Sequence, residues 1–415
     1  MKSNGCEDYM NLQAVPLKVD SVEIHRDAHP YGASAVLKNT LQWTYFTLSG
    51  TGVAIWDQID GVRSVDQICR SICAIHANLT SADVVRCLSR LCGAGFVGFS
   101  DVQSLNTKYR NIKFRLTNPF VWEIYFSSLQ VVFEKLYRSY ASWIFSIWVM
   151  LLAILLGVTG VVAYGFSDLG NIFPHTPTPT AVSALIVSTF VTVLIHETMH
   201  GLAMVHFGRQ VGGGGIGWFW FCPVPFIDTS DIWLGSRRQR LIVTLAGPLV
   251  EFVFAGTASI IALFCESGSD IHVLLRLFSA ACYFRLIVNM CPFLEYDGYF
   301  VLCDVINEAN IRRNSLVWFR SAVLRLFAPG ALRVRGRVLY YVYSMCSVVY
   351  LISWSALMMF ETENFVNGFS IKYLSASQAH VFSWIVAASF AMLIVFNAFK
   401  DVVWKRGGWD RVKVY

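Results

Sequence analysis

Three ionisable residues stand close together in the run His-Glu-Thr-Met-His at positions 196–200. On a helix His196 and His200 differ by ~40° in azimuth, so both rings face one point and each can offer a nitrogen to a zinc ion. Glu197 lies beside them and can accept a proton from an attacking water. The surrounding stretch is apolar and long enough to span a bilayer, where every ionisable side chain is costly and needs a partner. The pattern therefore predicts a metal site rather than residues that only fill a core.

A zinc site needs a third protein ligand, and two candidates follow the histidine pair. His206 stands at a spacing that some metalloproteases use, but Ala203 occupies the position where their chain turns at a glycine. On an unbroken helix His206 would lie ~80° behind the first histidine, off the ligand face. Asp297 follows Pro292, which breaks a later apolar stretch and frees backbone groups there. We expect Asp297 to complete a site of two histidines and one aspartate, with water as the fourth ligand.

The two motifs together resemble the site-2-protease family of membrane-embedded zinc metallopeptidases. That family has HExxH on one span and an NxxPxxxLDG-type sequence on a later span. The later motif here is NMCPFLEYDG, residues 289–298. It departs from the family pattern at Leu294, where a second proline is common, and at Tyr296, where leucine is usual. Neither departure removes a ligand.

The resemblance implies a role for each polar residue of the two motifs. The expected zinc ligands are His196, His200 and Asp297. Glu197 is expected to be the catalytic base. Asn289 is expected to orient the substrate backbone or to stabilise the developing oxyanion. Glu295 is a weaker candidate for a ligand.

A glycine-rich segment, GGGGIGWFWFCPVPFID, separates the two motifs at residues 212–228. In the site-2-protease family this region dips into the membrane and offers an extended edge to the substrate. The resemblance implies substrate contacts from Gly214, Gly215, Asp228 and Pro292. For Asp228, as for Asp231, an ordinary turn or capping role is an equal alternative. The run FIDTSDIWL followed by RRQRLIVTLAGP resembles one branch of the family, the peptide zinc metalloproteases encoded with bacterial peptide-maturation machinery.

The composition indicates that these motifs belong to a membrane protein. Of 415 residues, 55% are hydrophobic and 14% carry Asp, Glu, Lys or Arg charges, against about 25% charged residues in soluble domains. We predict about six spans of roughly 20 residues or more, at 143–165, 181–207, 240–264, 273–303, 338–360 and 379–400. Glu251 and Arg285 fall within the third and fourth of these spans. We expect them to form an ion pair rather than to take part in catalysis.

Basic and non-basic loops alternate along the membrane region. The loops 166–180 and 265–272 contain no Lys or Arg, whereas 304–337 contains seven Arg and the chain after it ends in a basic tail. The positive-inside rule then predicts a multi-pass protein of the cytoplasmic membrane with both termini in the cytoplasm. Because no apolar segment lies at the N-terminus, we expect no signal peptide.

The N-terminal region has a different texture. Residues 1–140 hold 14 Lys or Arg and 12 Asp or Glu and no long apolar run. Short alternating runs over 15–50 predict strands. Three helical patterns follow from Thr51, Ser64 and Ser81, and the two serines are expected to be N-caps. This order predicts a small winged-helix-like domain, and its balanced charge lacks the basic stripe that nucleic-acid binding requires.

The same region resembles the PqqD-like peptide-recognition domains. The resemblance spans residues 15–99, and its marks are Ser49–Gly50 before the first helix, Asp60–Gly61 after it and the final LxRLxxxGFV. Members of that family bind leader peptides of ribosomally made, modified peptides as an added strand on a β-edge beside the last helix. The resemblance thus implies a precursor (leader) peptide as partner. The alternative is a packing or regulatory domain without a ligand.

We therefore predict a polytopic α-helical membrane protein with about six transmembrane helices, a site-2-protease core and a small N-terminal α+β winged-helix-like domain. The expected regions are 1–100 for leader-peptide recognition, 101–142 as linker and membrane-surface segment, 143–400 as the zinc metalloprotease domain and 401–415 as a basic cytoplasmic tail.

The expected function is that of a zinc metalloendopeptidase with Zn2+ as cofactor, which cleaves a precursor peptide at the lipid bilayer. Two alternatives stay open. One is an intramembrane protease that releases a membrane-anchored regulator, and the other is a non-catalytic peptide export or immunity protein with a structural zinc. The sequence leaves the substrate and the oligomeric state open.

Overall fold

The computed structural model places the chain in two compact units, one that reaches Asn307 and one that begins at Glu308. Each unit is described by itself below. The structure describes residues 12–26, 34–40, 44–76, 79–99, 112–118, 121–127, 129–166, 179–219, 222–308, 310–327, 338–370 and 375–403.

The first unit begins with a domain of strands followed by three helices, as the sequence predicts; this domain is called the head below. Its strands are β1 (Pro16–Lys18), β2 (Val22–His25), β3 (Ala35–Asn39), β4 (Thr44–Leu48) and β5 (Val97–Phe99). Its helices are α1 (Gly50–Asp57), α2 (Val65–Ile75) and α3 (Ser81–Gly93). The strands β2, β3 and β4 form an antiparallel sheet in that order, and β1 pairs with β5.

The sheet of the head is covered on both faces, since all five residues of β3 are buried. Alternate residues of a strand point to opposite faces. On one face Leu37 packs with Trp56 and Leu88 in the core that the three helices close. On the other face Val36 and Tyr45 pack with Leu234, a residue far along the chain. The sheet is therefore the layer between the head's own helices and the rest of the first unit.

The helix caps of the head differ from the prediction at one place. Ser64 is the N-cap of α2, and its capping box with Gln67 is complete. The prediction that Ser81 caps the next helix is wrong by one residue. Thr80 has the extended backbone of a cap and exchanges hydrogen bonds with Asp83, so Ser81 is already the first residue of α3.

A four-stranded antiparallel sheet follows the head. Its strands are β6 (Ile112–Asn118), β7 (Val121–Ser127), β8 (Gly213–Phe219) and β9 (Cys222–Asp228), in that order. The glycine-rich segment is thus a hairpin rather than a slack linker. A Cβ atom at Gly215 would collide with the carbonyl oxygen of Ile124, so glycine at this position lets β8 lie close against β7. The last strand, β9, lies at the outer edge of this sheet among the described residues.

Six further helices lie in the described part of the first unit. They are α4 (Gln130–Leu136), which continues into a π-helical turn (Tyr137–Ala141), α5 (Ile147–Phe166), α6 (Pro179–His206), α7 (Arg237–Ala262), α8 (Asp270–Asn289) and α9 (Asp297–Ile306). A short 3-10 turn (Ser230–Leu234) connects β9 to α7 and is called the 230–234 turn below. Helices α5 and α7 cross closely because Gly160 lies against Gly256, where a Cβ atom would collide. Small residues at such crossings are typical of membrane helices.

The second unit contains α10 (Ile311–Phe327), α11 (Val338–Ser370) and α12 (Ala376–Val403). The helices α11 and α12 are joined by polar side chains. Glu363 on α11 lies 2.9 Å from Nδ1 of His380 and accepts a 3.2 Å hydrogen bond from Ser383, both on α12. This pairing satisfies a carboxylate that is buried between two apolar helices.

In the described part of the chain, five helices are long and apolar enough to cross a membrane. They are Ile147–Gly165, Ser183–His206, Arg237–Ala262, Asp270–Asn289 and Val338–Phe360. The sixth predicted span, 379–400, falls inside α12 and is not among these five, so the count of six stays a prediction. The fourth predicted span, 273–303, is wrong in its extent because α8 ends at Asn289 and a new helix begins at Asp297. Pro292 lies in this break and cannot donate a helical hydrogen bond.

The head is fastened to the rest of the first unit through Asp231 in the 230–234 turn. One carboxylate oxygen lies 2.8 Å from Lys38 Nζ and accepts a 2.7 Å hydrogen bond from the Tyr45 hydroxyl. The other accepts the backbone N–H of Gln210 at 3.1 Å, and the Gln210 side chain accepts from Lys38 Nζ at 2.9 Å. We call these four residues the Asp231 joint. A buried ion pair of this kind is costly to desolvate, so it adds little net stability. It favours one arrangement of the head on the rest of the first unit.

Candidate metal centre

The histidine pair lies on α6 with both rings turned to one point, as predicted. The Nε2 atoms of His196 and His200 are 3.1 Å apart, and both residues are buried. Two nitrogens at this separation point at the same small volume. The arrangement follows from their spacing of four residues on a regular helix.

Asp297 reaches the same volume from the first residue of α9. Its Oδ2 atom lies 3.2 Å from Nε2 of His196 and 3.4 Å from Nε2 of His200. Because the chain leaves the helical path between 290 and 296, the carboxylate can turn toward α6. The three atoms form a nearly equilateral triangle.

This triangle fits a zinc ion. Ligand atoms around a tetrahedral zinc, with bonds of about 2.0–2.1 Å, lie roughly 3.3 Å from one another. The observed separations run from 3.1 to 3.4 Å. Two imidazoles and one carboxylate are also the donor set of many catalytic zinc sites, which keep a fourth position open.

A glycine on α7 keeps space beside the triangle. A Cβ atom at Gly247 would lie 2.5 Å from Nε2 of both His196 and His200. No side chain other than hydrogen can therefore occupy this position without displacing the ligand atoms. The space left by the missing side chain of Gly247 also fits a bound ion, and this observation does not depend on the distances between the donor atoms.

The helix α7 also contacts the far nitrogens of both rings. Nδ1 of His200 lies 2.7 Å from the carbonyl oxygen of Val243, and a carbonyl can only accept. That Nδ1 must therefore carry the hydrogen, which leaves the lone pair on Nε2, the atom that faces the triangle. Nδ1 of His196 faces Oε1 of Glu251 at 3.6 Å. Glu251 also forms the expected ion pair with Arg285, at 3.1 Å.

Asn289 lies beside the donor triangle, with its Nδ2 atom 3.4 Å from Nε2 of His196. Its Nδ2 donates a 2.7 Å hydrogen bond to Oδ2 of Asp297, and its Oδ1 accepts the backbone N–H of the same residue at 3.3 Å. The side chain is thus engaged in holding Asp297 across the break between α8 and α9. The role toward a substrate or an oxyanion stays a prediction, whereas the positioning of Asp297 is observed.

Glu197 lies next to the donor atoms without joining their triangle. One ligand atom from each of His196, Glu197 and His200 lies within 4.8 Å of the others. Oε2 of Glu197 accepts the backbone N–H of Ile227 at 3.1 Å. This bond ties the expected base to β9, the outer strand of the sheet.

The two weaker ligand candidates, His206 and Glu295, have other surroundings. Nδ1 of His206 is 2.8 Å from the hydroxyl of Tyr137, and its ring stacks on Phe145 with centroids 4.6 Å apart. It therefore anchors the end of α6 to the segment around the π-helical turn. Glu295 is exposed, unlike the buried histidines.

The predicted substrate contacts fall in several places. Gly214 and Gly215 lie within β8, whose backbone pairs with β7 on one side and β9 on the other, so they do not form an open edge. Asp228 takes the turn role that was the alternative, since it accepts from Ser230 N–H at 3.0 Å and from the Tyr125 hydroxyl at 3.2 Å. Pro292 lies in the break before α9, and its contact with substrate stays a prediction.

Known proteins resemble two features of this chain. Residues 34–97 match the family described as "Coenzyme PQQ synthesis protein D (PqqD)". Over 119 residues, 28% of this chain, the sequence is 24% identical to a Bacillus subtilis (strain 168) protein named "Putative peptide zinc metalloprotease protein YydH". The chain spans about half of that relative, with 46% of it covered. No solved structure matches the chain.

The head therefore carries a PqqD domain, as its sequence predicted, and the match of 34–97 falls within the predicted region 1–100. The likeness to a peptide zinc metalloprotease agrees with the His-Glu-His cluster, which can hold a metal ion.

Two positions on α7 that contact the histidine pair, Val243 and Gly247, were not predicted from the sequence, and Glu251 was predicted only as the partner of Arg285. Val243, Gly247 and Glu251 are four residues apart, so they share one helix face, and each touches the histidine pair. The sequence feature that could have indicated these positions is a glycine and an acid four residues apart within an apolar span. Such a pattern can indicate a polar helix face but does not say which residues that face meets.

Proposed function

We propose that this protein is a membrane-embedded zinc metalloendopeptidase that cleaves a precursor peptide captured by its head. The observation that carries the proposal is the convergence of three ligand atoms beside Glu197, with separations of 3.1 to 3.4 Å. Five helices of membrane-spanning length support a location in the bilayer. Zinc would be held by His196, His200 and Asp297.

The chemistry follows from the groups at this point. A zinc ion held by these residues would polarise a peptide carbonyl and lower the pKa of water. Glu197 accepts the proton of the attacking water and returns it to the leaving amine. Asn289 and the carbonyl of Val243 hold Asp297 and His200 in place during this step, so that the ligand atoms need no rearrangement.

The outer edge of β9 is the place where we propose that the substrate lies. The backbone N–H of Ile227 points away from β8 toward Glu197, so this edge faces the base. A peptide added beside β9 would be extended, which is the form that a protease cuts.

The head would supply substrate capture. Its PqqD match supports binding of a precursor peptide, and the Asp231 joint fastens it to the turn that follows β9 directly. A peptide bound by the head is then kept near the metal centre, which raises its effective concentration there.

The first test concerns catalysis. Glu197→Gln keeps the shape of the side chain and loses the base, so we expect full zinc content and cleavage reduced by about 10²–10⁴-fold. The wild type and the variant would be incubated with a proteome-derived peptide library, and the products identified by mass spectrometry. Glu266→Gln, an exposed change in the same unit, is the matched control. Undiminished cleavage by Glu197→Gln would remove this residue from the mechanism, and zinc without any cleavage by the wild type would favour a structural zinc.

The second test concerns the head. The peptides that the wild type cleaves in the library experiment would be titrated as substrates of the full chain and of a chain lacking residues 1–100. Because the head supplies binding without touching the reacting atoms, we expect its removal to raise KM far more than it lowers kcat. Equal KM values for the two proteins would instead leave the head a gating or packing role.

A further inference from the structure

A cluster of polar groups lies behind His196, between α7 and α8. Glu251 is buried with 3% of its surface exposed. Its Oε1 atom accepts a 3.1 Å hydrogen bond from Nε of Arg285 and faces Nδ1 of His196 at 3.6 Å. Arg285 also donates from Nη2 to the sulfur of Cys282 at 3.2 Å. The carboxylate thus stands between a cation and the ring that carries a proposed ligand atom.

Three buried atoms of this cluster lack a hydrogen-bond partner within the described residues. They are Nδ1 of His196, Oε2 of Glu251 and Nη1 of Arg285. Most buried polar atoms in proteins are satisfied, so three such atoms around one ring need a physical reason. An ion pair between Glu251 and Arg285 does not by itself explain why these atoms surround the His196 ring, because that pair could form without a histidine beside it.

We propose that Glu251, held by Arg285, is the positioning residue of His196. When Nε2 of His196 gives its lone pair to the metal, Nδ1 must carry the hydrogen and needs an acceptor. Glu251 Oε1 is the carboxylate oxygen that faces this nitrogen. It fixes the tautomer and the ring orientation and makes Nε2 a better donor. The inference rests on the proposed zinc site.

The placement of Arg285 supports this role. Arg285 and Asn289 are one turn apart on α8, and Asn289 holds the third ligand, Asp297. One face of α8 therefore supports two corners of the donor triangle. Arg285 acts on His196 through Glu251, and Asn289 contacts Asp297 directly. On α7, Val243 does for His200 what Glu251 would do for His196.

The test is the zinc affinity of the full-length purified protein, measured by competition with a chelator. Loss of a carboxylate that orients a metal-binding histidine typically weakens metal binding by about 10–100-fold. We expect this loss in Glu251→Gln, which keeps the size and a hydrogen-bond acceptor but not the charge. Glu251→Asp keeps the charge and withdraws it by one methylene, so we expect a smaller loss. Glu266→Gln is the control and should bind zinc as the wild type does.

A spectroscopic measurement separates positioning from general damage. Cobalt substituted for zinc has absorption bands that depend on ligand strength and geometry, and we expect these bands to shift in Glu251→Gln and not in the control. Wild-type zinc affinity and unshifted bands in each folded variant at position 251 would overturn the inference. If Glu251→Gln does not fold, Glu251→Asp decides alone. A wild type that binds no zinc would overturn the proposed metal site itself.

Discussion

Asp297 and His206 show how similar sequence evidence leads to different places. Both residues follow HExxH at spacings found in metalloproteases, yet Asp297 Oδ2 lies 3.2 Å from His196, whereas His206 bonds to Tyr137. A regular helix carries His206 past the ligand face, while the break at Pro292 lets Asp297 turn back.

We expect Asp297→Ala to lose tightly bound zinc and His206→Ala to keep it. The first variant removes one corner of the donor triangle, and the second removes only an anchor at the end of α6. Elemental analysis of the purified proteins is the measurement. Full zinc in Asp297→Ala with loss in His206→Ala would reverse the assignment of the third ligand.

The space beside the histidines leads to a prediction for Gly247. In Gly247→Ala the new methyl group would lie 2.5 Å from both Nε2 atoms, so we expect zinc binding to weaken about tenfold or more. Gly165→Ala is the matched control, because a Cβ atom there meets nothing within 4 Å. Chelator competition measures both. Equal zinc affinity in the two variants would mean that the ligand atoms move freely and that the gap has no role.

The 230–234 turn connects the head to the strand beside Glu197. Asp231 lies three residues after Asp228, the last residue of β9. Ile227, whose N–H donates to Glu197, lies four residues before Asp231. The Asp231 joint therefore lies at the base of the hairpin that we propose for substrate binding.

We expect Asp231→Ala to loosen this joint. Breaking a buried ion pair by removing one partner costs about 3–5 kcal/mol, because the Lys38 ammonium stays buried without its counter-charge. Hydrogen exchange should speed up at the Gln210 amide and along β3 and β4, with zinc content unchanged. Asp57→Ala removes the exposed pair with Arg26 and is the control, expected to cost about 0–1 kcal/mol. Unchanged protection at Gln210 would show that the joint does not hold the head.

The acid dependence of the joint follows from the same contacts. Burial acts to raise the pKa of Asp231, but the bonds from Lys38, the Gln210 amide and Tyr45 outweigh it and hold the pKa below its ordinary value. A lowered pKa gives stability that is complete above the ordinary value of about 3.9 and is lost as pH falls through the folded value. Burial, then the Asp231 carboxylate, raise the pKa of the Tyr45 hydroxyl, which stays a donor. Hydrogen-exchange protection of the Gln210 amide should thus stay constant from neutral pH to about 5 and fall in stronger acid. In Asp231→Asn this fall in protection should be absent.

The orientation of the protein in the membrane decides from which side a substrate enters. HExxH lies in the second half of the span Ser183–His206. If the N-terminus is cytoplasmic, this span runs inward and the metal centre lies nearer the cytoplasm, where a newly made precursor is found.

We expect both termini to be cytoplasmic, because the seven arginines of 304–337 and the basic tail mark cytoplasmic segments. A cysteine introduced at Val414 should react with a membrane-impermeant maleimide in inverted vesicles and not in intact cells. A cysteine at Ser267, in the non-basic loop between α7 and α8, is the control and should show the opposite pattern. External labelling at Val414 would contradict the six-span topology.

Several features of this protein could be predicted from the sequence because they depend on neighbouring residues. Spacing of four on a helix brings His196 and His200 together, Pro292 ends α8, and apolar length predicts spans. The head could be predicted from its order of strands and capped helices. Errors arose at element boundaries: Thr80 is the cap in place of Ser81, and the helix predicted over 273–303 ends at Asn289.

The contacts that complete the candidate site were decided by the tertiary structure alone. Asp297 meets His196 across 101 residues of sequence, and Lys38 meets Asp231 across 193. In the sequence, Gly247 does not differ from other small residues of membrane helices. Only the packing of α7 against α6 shows that a side chain at this position would meet two ring nitrogens. Local spacing determines which way a side chain points from its own helix or strand. What it meets depends on how distant elements pack, and packing is settled by the whole chain at once.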